Sequence, residues 1–125
     1  MESDRPVIVV GGGAAGLMAA GCAGRRGRPV TVMERNPRPA RKVLITGKGR
    51  CNVTNNCTAE DAVAHVPGGG RFLYSAFSAF TPQDCMALFE EQGVPLKTER
   101  GGRVFPESDK AMHPSNPQQN LLRSA

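Results

Sequence analysis

A glycine-rich turn directly after a short apolar run constrains the fold of this chain more than any other feature. The run Val7–Val10 is β-branched and apolar, which is typical of a parallel strand buried on both faces. Gly11, Gly13 and Gly16 follow with the spacing G-x-G-x-x-G. In this pattern the first glycine permits a tight turn, the second lets a pyrophosphate approach the backbone, and the third lets the next helix pack closely. The stretch therefore predicts the start of a dinucleotide-binding βαβ unit.

The following segment continues this unit. Leu17 to Arg26 is Ala-rich and predicts a helix whose positive N-terminal end would face the phosphates. Val30–Met33 predicts a second strand, and Glu34 follows it, 18 residues after Gly16. An acid near this position holds ribose hydroxyls, and its charge disfavours the extra 2′-phosphate of NADP. The unit alone leaves FAD and NAD open as ligands.

The length limits what the unit can belong to. A chain of 125 residues is at most one domain, yet a doubly wound domain needs more parallel strands than the two predicted here. We therefore expect the N-terminal portion of a larger protein. Residues 1–111 would be a partial dinucleotide-binding domain and 112–125 an irregular tail, where Pro114 and Pro117 interrupt a helix start at Ser108. A truncated or frame-shifted product is the favoured explanation, with a naturally short relative as the alternative.

Basic residues are concentrated in one part of the sequence. The net charge is +5, and nine of the 16 basic residues lie between positions 25 and 50. Such a cluster could follow a nucleic-acid backbone. A solvated face, or local charge for one diphosphate cofactor, accounts for it equally well. Because the chain has one Tyr, no Trp and no basic–aromatic alternation, the pattern disfavours a nucleic-acid partner.

The mean hydropathy and the pattern of cysteines indicate in which compartment of the cell the protein is found. A mean hydropathy of −0.33 without a long apolar run argues against a membrane span. The acidic start at residues 1–4 does not resemble a signal peptide. The four cysteines form no C-x-x-C pair, which favours a reduced set over a disulfide framework. We therefore expect a cytoplasmic protein.

The second informative stretch runs from Arg41 to Asn55, after an extended loop predicted at 36–39 by its two prolines. It combines permissive glycines, cations and hydrogen-bonding side chains, which suits the wrapping of a polyanionic ligand. It is not a Walker A loop, because Gly47-Lys48 is followed by Gly49 instead of Ser or Thr.

Cys51 within this stretch has three interpretations. It could be a redox thiol whose pKa the neighbouring Arg50 lowers. It could be a metal ligand with Cys57, His65 or Cys85, although the spacing fits no usual zinc pattern. A small buried residue beside the ligand loop is the favoured interpretation, so we expect no metal. Cys22 and Cys85 lie in helical patterns and are predicted to be core residues.

The middle of the chain predicts helices. Thr58 to His65 predicts a short one. Thr81, Pro82 and Asp84 mark the start of another, because Thr is a good N-cap, Pro suits the first helical position and an acid at N3 completes a capping box. Gly93 is predicted to end it.

An aromatic stripe and a hairpin complete the pattern. Four apolar residues recur at helical spacing: Phe72, Leu73, Phe77 and Phe80. Such a stripe is more often core than a flavin contact. Leu96–Glu99 and Arg103–Phe105 predict a hairpin turned by Gly101-Gly102.

Four of these segments resemble one bacterial family. They are the start at Gly11–Ala20, the strand end at Glu34–Asn36, Arg41-Lys42 leading to the Thr-Gly-Lys-Gly-Arg-Cys-Asn-Val-Thr-Asn run at 46–55, and Glu99–Pro106 with its Gly-Arg-Val-Phe-Pro ending. Together they resemble the BaiN/RdsA-type NAD(P)/FAD-dependent oxidoreductases over roughly residues 6 to 111. One departure is Ala40, where the family often has Gly.

The resemblance implies an α/β fold, the N-terminal part of a Rossmann-like FAD-binding domain of glutathione-reductase type with added helices and a β-hairpin. It places the FAD pyrophosphate at the glycine turn, the adenosine ribose on Glu34, and the flavin side along Arg41, Lys42 and the 47–52 loop. The full set of expected cofactor-binding residues is Gly11, Gly13, Ala14, Ala15, Gly16, Glu34, Arg35, Arg41, Lys42, Thr46, Gly47, Gly49, Arg50, Cys51 and Asn52.

The leading functional hypothesis is the FAD-binding portion of a flavin-dependent oxidoreductase, not active by itself, with NAD(P)H as a candidate electron donor to the complete enzyme. No catalytic residue, small-molecule substrate or oligomeric state can be read from the sequence. The alternatives are a nucleotide-binding module without catalysis and an RNA-modifying flavoprotein, the latter motivated by the basic cluster.

Overall fold

The computed structural model describes residues 5–110, which form two small sheets with helices around them. The tail predicted at 112–125 lies outside the described residues. None of the helices in the described part has the length and apolar character needed to cross a bilayer.

Residues 7–33 form the predicted βαβ unit. It consists of β1 (Val7–Val10), α1 (Ala14–Arg25) and β2 (Val30–Met33), and the two strands pair in parallel from Val7 with Val30 to Val10 with Met33. Both strand predictions are confirmed. The helix starts three residues earlier than predicted, because Gly13 is extended and serves as its N-cap.

This sheet is covered on one face in the described part of the chain. Side chains alternate between half-buried and exposed along both strands, and Ile8 and Val10 are 60% and 83% exposed. On the other side α1 contributes the buried Leu17 and Ala20. The prediction that β1 is buried on both faces is therefore wrong for these residues, since the second helical layer of a doubly wound sheet is not among them.

The connection after β2 is more ordered than the sequence predicts. Residues 36–39 form the expected irregular loop, but α2 (Arg41–Ile45) and a 3-10 turn (Thr46–Gly49) follow, and β3 (Thr54–Asn55) ends the stretch. The residues of α2 are adequate helix formers. A two-residue strand carries no periodicity, so β3 could be found only from its pairing partner.

That partner belongs to the predicted hairpin. β4 (Leu96–Thr98) and β5 (Arg103–Pro106) are antiparallel and joined by a 3-10 turn at Arg100–Gly102, which confirms the prediction. β3 adds to the other edge of β5, giving the order β3-β5-β4. Val104 and Phe105 on the central strand are almost fully buried.

The remaining elements are α3 (Ala59–Ala64), α4 (Tyr74–Ala79), α5 (Pro82–Glu91) and a 3-10 turn at Gly70–Leu73. The start of α5 is the predicted capping box, because Thr81 and Asp84 exchange side-chain to backbone hydrogen bonds of 2.9 and 3.1 Å. Thr58 caps α3 in the same way through the amide of Asp61.

The predicted aromatic core is wrong for the described residues. Phe72 is 88% and Phe80 38% exposed, while Phe77 is half-buried. Phe72 lies in the 3-10 turn before α4 and Phe80 follows that helix, so the residues do not share one helical face. The helix start predicted at Ser108 is also absent from 108–110, where Asp109 has a left-handed backbone with φ of 55°.

Candidate functional site

The glycine turn has the geometry that its spacing predicts. Gly11 has a φ of 101°, and its amide donates to the carbonyl of Met33 at 2.8 Å. A Cβ added to Gly13 would meet nothing within 4 Å, so the space in front of it is open. A Cβ on Gly16 would collide with the carbonyl oxygen of Gly11. The three glycines therefore make the turn, leave an open approach and allow α1 to pack closely.

The N-terminus of α1 presents free donors to that open space. Gly13 provides no side-chain cap, and the first turn contains no acidic residue. The first bond at this end runs from the amide of Leu17 to the carbonyl of Gly13 at 2.9 Å. The amides of Ala14, Ala15 and Gly16 find no acceptor among residues 5–110. Such amides, with the positive end of the helix dipole, favour an anion.

Glu34 lies beside this turn, with its carboxylate fixed by three hydrogen bonds. Oε2 accepts from the amide of Gly12 at 2.8 Å, and Oε1 accepts from the amide and side chain of Asn36 at 2.8 and 3.1 Å. The bonds from the Asn36 and Gly12 amides lower the pKa of Glu34, so the group is charged at neutral pH. A carboxylate has about four acceptor positions, which leaves room for a ligand hydroxyl.

Ala40 closes the loop that leads away from Glu34. Its amide donates to the carbonyl of Gly12 at 2.6 Å, and its side chain is buried. Its backbone is left-handed, with φ of 56° and ψ of 31°. This conformation explains why a glycine suits the position, which the sequence marks only as a departure from the resembled family.

The 46–52 loop is compact and unusual in its backbone. Gly47, Lys48, Gly49 and Cys51 all have positive φ values, between 58° and 87°. The carbonyl of Thr46 accepts from the amide of Cys51 at 3.1 Å and closes the turn. A Cβ on Gly47 would lie 2.7 Å from the ring of Phe105, so the loop packs directly on the hairpin.

Two predicted ligand residues of this loop point toward the hairpin. The Arg50 guanidinium lies 2.9 Å from the Glu99 carboxylate and 3.3 Å from that of Asp109, and 3.9 Å above the ring of Phe105. The Asn52 side chain donates to the carbonyls of Thr54 and Val104, both at 3.1 Å. Both side chains are held by the protein itself, and their role in cofactor binding stays a prediction.

Cys51 is the small buried residue that the sequence favours. It is 6% exposed, and burial raises the pKa of its thiol. The redox hypothesis is wrong in its premise, because Arg50 is engaged by carboxylates and does not lower that pKa. Cys22 and Cys85, predicted as core, are half-buried, and all four cysteines are unpaired. Among the residues placed by the structure, no His, Cys, Asp or Glu cluster could hold a metal.

A cavity of about 270 Å³ joins the two sequence motifs. It lies between the first half of α1, the 43–53 segment and α5, so Ala14 at the glycine turn shares it with Thr46, Cys51 and Asn52. Arg41 is not part of it and lines a separate 240 Å³ cavity with Asn36 and Arg38. The structure thus brings together the glycine turn, Glu34 and the loop, and leaves Arg35, Arg41 and Lys42 exposed beside them.

The fold divides the basic cluster between two edges of the first sheet, apart from Arg50, which lies against the hairpin. Arg25 is the last residue of α1, Arg26 and Arg28 follow it, and Arg28 donates to the carbonyl of Arg5 just before β1. They lie at the amino edge of the parallel strands. Five exposed cations follow β2 at the carboxyl edge and form no ion pair within residues 5–110: Arg35, Arg38, Arg41, Lys42 and Lys48.

A second cavity has a volume of about 450 Å³. Thr54, Asn55, Cys57, His65 and Phe77 are among its lining residues. Thr54 and Asn55 end the second sequence motif, whereas Cys57, His65 and Phe77 come from other parts of the chain, so no local spacing marks these residues as a group.

The parallel βαβ unit, the left-handed glycine turn and the acid at the end of β2 define a Rossmann-type nucleotide-binding domain. A family model described as "HI0933-like protein Rossmann domain" matches residues 5–116. The chain belongs to this flavoprotein family, which confirms both the α/β Rossmann-type fold and the resemblance noted from the sequence.

Curated relatives cover a similar region. The "Ribosomal RNA dihydrouridine synthase" of Escherichia coli (strain K12) is 34% identical over 98 residues, which are 78% of this chain and 24% of that protein. The protein of the same name from Haemophilus influenzae (strain ATCC 51907 / DSM 11121 / KW20 / Rd) is 35% identical over 99 residues, with 78% and 24% covered. The "3-dehydro-bile acid delta(4,6)-reductase" of Clostridium scindens (strain ATCC 35704 / DSM 5676 / VPI 13733 / 19) is 34% identical over 105 residues, with 82% and 25% covered. The chain spans about a quarter of the length of these relatives.

The left-handed backbone at Ala40 leads to a stability prediction. Ala40→Gly should raise the free energy of unfolding by about 0.5–1 kcal/mol, because relief of the strain exceeds the entropy cost of glycine. The matched control is Ala87→Gly on the exposed side of α5, which should lower it by about 1 kcal/mol. Urea unfolding measures both, and a loss of stability in Ala40→Gly would contradict the assigned backbone.

Proposed function

We propose that this chain is the FAD-binding portion of a flavin-dependent oxidoreductase. The observation that carries the proposal is the fixed Glu34 carboxylate beside the amides at the start of α1, which have no acceptor within residues 5–110, in a member of a flavoprotein family. The oxidoreductase class is supported by the reductase name of one relative.

The residues present fit FAD in three parts. The amides of residues 13–16 would hold the diphosphate, and Glu34 would accept hydrogen bonds from the adenosine ribose. The cavity shared by Ala14 and the 46–52 loop would receive the flavin side. When bound, FAD supplies transfer of a hydride or electron pair, with NAD(P)H as a candidate donor. The protein contributes binding, orientation and charge.

We also propose that the whole protein acts as an oxidoreductase on a substrate that stays unidentified, and that it is located in the cytoplasm. The described residues offer the diphosphate and ribose contacts, and they leave Ile8, Val10 and Phe72 exposed. We therefore expect the 125-residue chain to bind the ADP half of the cofactor, to hold FAD weakly and to show no turnover by itself.

The test of the proposal is the response of ADP binding to Glu34. Glu34→Ala should weaken ADP binding about 10- to 150-fold, because hydrogen bonds to a charged group are lost. It should also reduce the discrimination against adenosine 2′,5′-bisphosphate, whose 2′-phosphate the carboxylate repels. Isothermal titration calorimetry measures both ligands, with circular dichroism to establish folding.

The matched control is Glu60→Ala, which removes an exposed carboxylate in α3. Its ADP affinity should equal that of the wild type. An unchanged ADP affinity in folded Glu34→Ala would overturn the ribose role of Glu34, and absence of ADP binding by the wild type would overturn the proposed function.

A second candidate is an RNA-modifying flavoprotein. It is favoured by the name of two relatives, ribosomal RNA dihydrouridine synthase, and by the five exposed cations at the carboxyl edge of the first sheet. The alternative of a nucleotide-binding module without catalysis has no comparable observation in its favour.

The two edges of the sheet provide the test of this candidate. Binding to a ribosomal RNA fragment should weaken with salt, and Lys48→Gln should reduce the slope of log affinity against log salt by about 1. Arg26→Gln, at the opposite edge, is the matched control and should leave the slope unchanged. Equal effects of both substitutions would indicate non-specific attraction and contradict an RNA site at the carboxyl edge.

A further inference from the structure

The 46–52 loop holds a backbone conformation that its own residues do not favour. Lys48 and Cys51 are left-handed, with φ of 58° and 64°, although neither is a glycine. Residues in such conformations persist where the surrounding structure fixes them. Arg50 lies between the two, so contacts of its side chain are placed to fix this part of the loop.

Those contacts are made by the hairpin. One nitrogen of Arg50 donates to both oxygens of Glu99, at 3.1 and 2.9 Å, and the guanidinium covers the ring of Phe105 at 3.9 Å. The Phe105 side chain is 2% exposed and therefore has a fixed position. An ion pair combined with a cation–π contact orients the guanidinium in two directions at once.

Glu99 is itself held independently of the loop. Its amide donates to the carbonyl of Arg103 at 2.8 Å, at the closed end of the hairpin. Lys97 lies 3.4 Å from its carboxylate and 2.7 Å from that of Asp109, which also pairs with Arg50. The carboxylate is thus a fixed reference point to which the loop is attached.

We propose that Glu99 is a positioning residue for the flavin side of the nucleotide site. It acts through Arg50 to keep the flanking residues Lys48 and Cys51 in their left-handed conformation, which places Cys51 and Asn52 on the wall of the cavity that Ala14 shares. This inference rests on the proposed function. It assigns Arg50 to loop geometry instead of cofactor contact.

The expected effect is local. The Arg50 and Glu99 side chains are 33% and 29% exposed, and ion pairs at such exposure contribute little to global stability. Loss of the contact should therefore increase local opening of the loop and leave the unfolding midpoint nearly unchanged.

Amide hydrogen exchange measured by NMR tests the positioning role directly. Glu99→Gln and Arg50→Met should each speed exchange of the 48–53 amides about two- to fivefold, with no change at Leu17. The double variant should be no faster than Arg50→Met, because Glu99 acts on the loop only through Arg50, which also contacts Asp109 and Phe105. Glu107→Gln is the matched control: an exposed carboxylate near the end of the same hairpin, without an ion pair among the described residues.

Nucleotide titrations then separate the site's two halves. Glu99→Gln should lower FAD affinity about two- to fivefold and leave ADP affinity unchanged, since ADP contacts only the glycine turn and Glu34. Unchanged loop exchange in Glu99→Gln, additive effects in the double variant, or equal loss of ADP and FAD binding would each overturn the positioning role.

If the wild type binds neither nucleotide, the proposed function fails, and exchange alone decides whether Glu99 holds the loop. If Arg50→Met does not fold, Arg50→Lys, which keeps the charge, replaces it in the exchange measurement.

Discussion

The hydrogen bond from the Gly12 amide to the Glu34 carboxylate, 2.8 Å long, connects the parts of the nucleotide site. It ties the turn after β1 to the end of β2, and it leaves little room for a side chain at Gly12, because a Cβ there would lie 3.1 Å from the same oxygen. The charge that this bond stabilises is the one that would receive the ribose. One contact between residues 22 positions apart therefore joins the glycine turn to the carboxylate that follows β2.

The second sheet reaches the site through the 46–52 loop. Phe105 supplies a buried ring against which Gly47 and Arg50 pack, and the Asn52 side chain binds the carbonyl of Val104. The second motif, whose composition indicates ligand wrapping, is thus attached to the hairpin by its most polar side chains. The backbone and the smaller residues Thr46 and Cys51 face the cavity. Arg50, the basic residue at the centre of this loop, therefore contacts Glu99 and Phe105 of the hairpin.

The sequence was sufficient to predict an element wherever nearby residues, or a motif of known spacing, determine its structure. The Thr81–Asp84 capping box and the hairpin follow from residues within a few positions of one another, and the βαβ unit follows from a motif of known spacing over residues 7–34. All three are confirmed. The sequence did not predict the features that depend on contacts between residues far apart in the chain. β3 exists only through β5, and Arg50 finds Glu99 across 49 positions. The exposed Phe72 shows the same limit, since helical spacing is uninformative in a 3-10 turn. For the site, the glycine turn and the 46–52 loop share one cavity through Ala14, and the role of these residues in cofactor binding stays a prediction.

Mapping of ligand-induced chemical shifts on the isotopically labelled chain tests the central claim most directly. On addition of FAD, the account predicts shifts at three separate places: residues 11–17, residues 34–36, and residues 46–52 at the shared cavity. ADP should reproduce the first two sets without the third. Shifts confined to the larger cavity around His65 and Phe77, with the glycine turn unaffected, would contradict a dinucleotide site at this edge of the sheet.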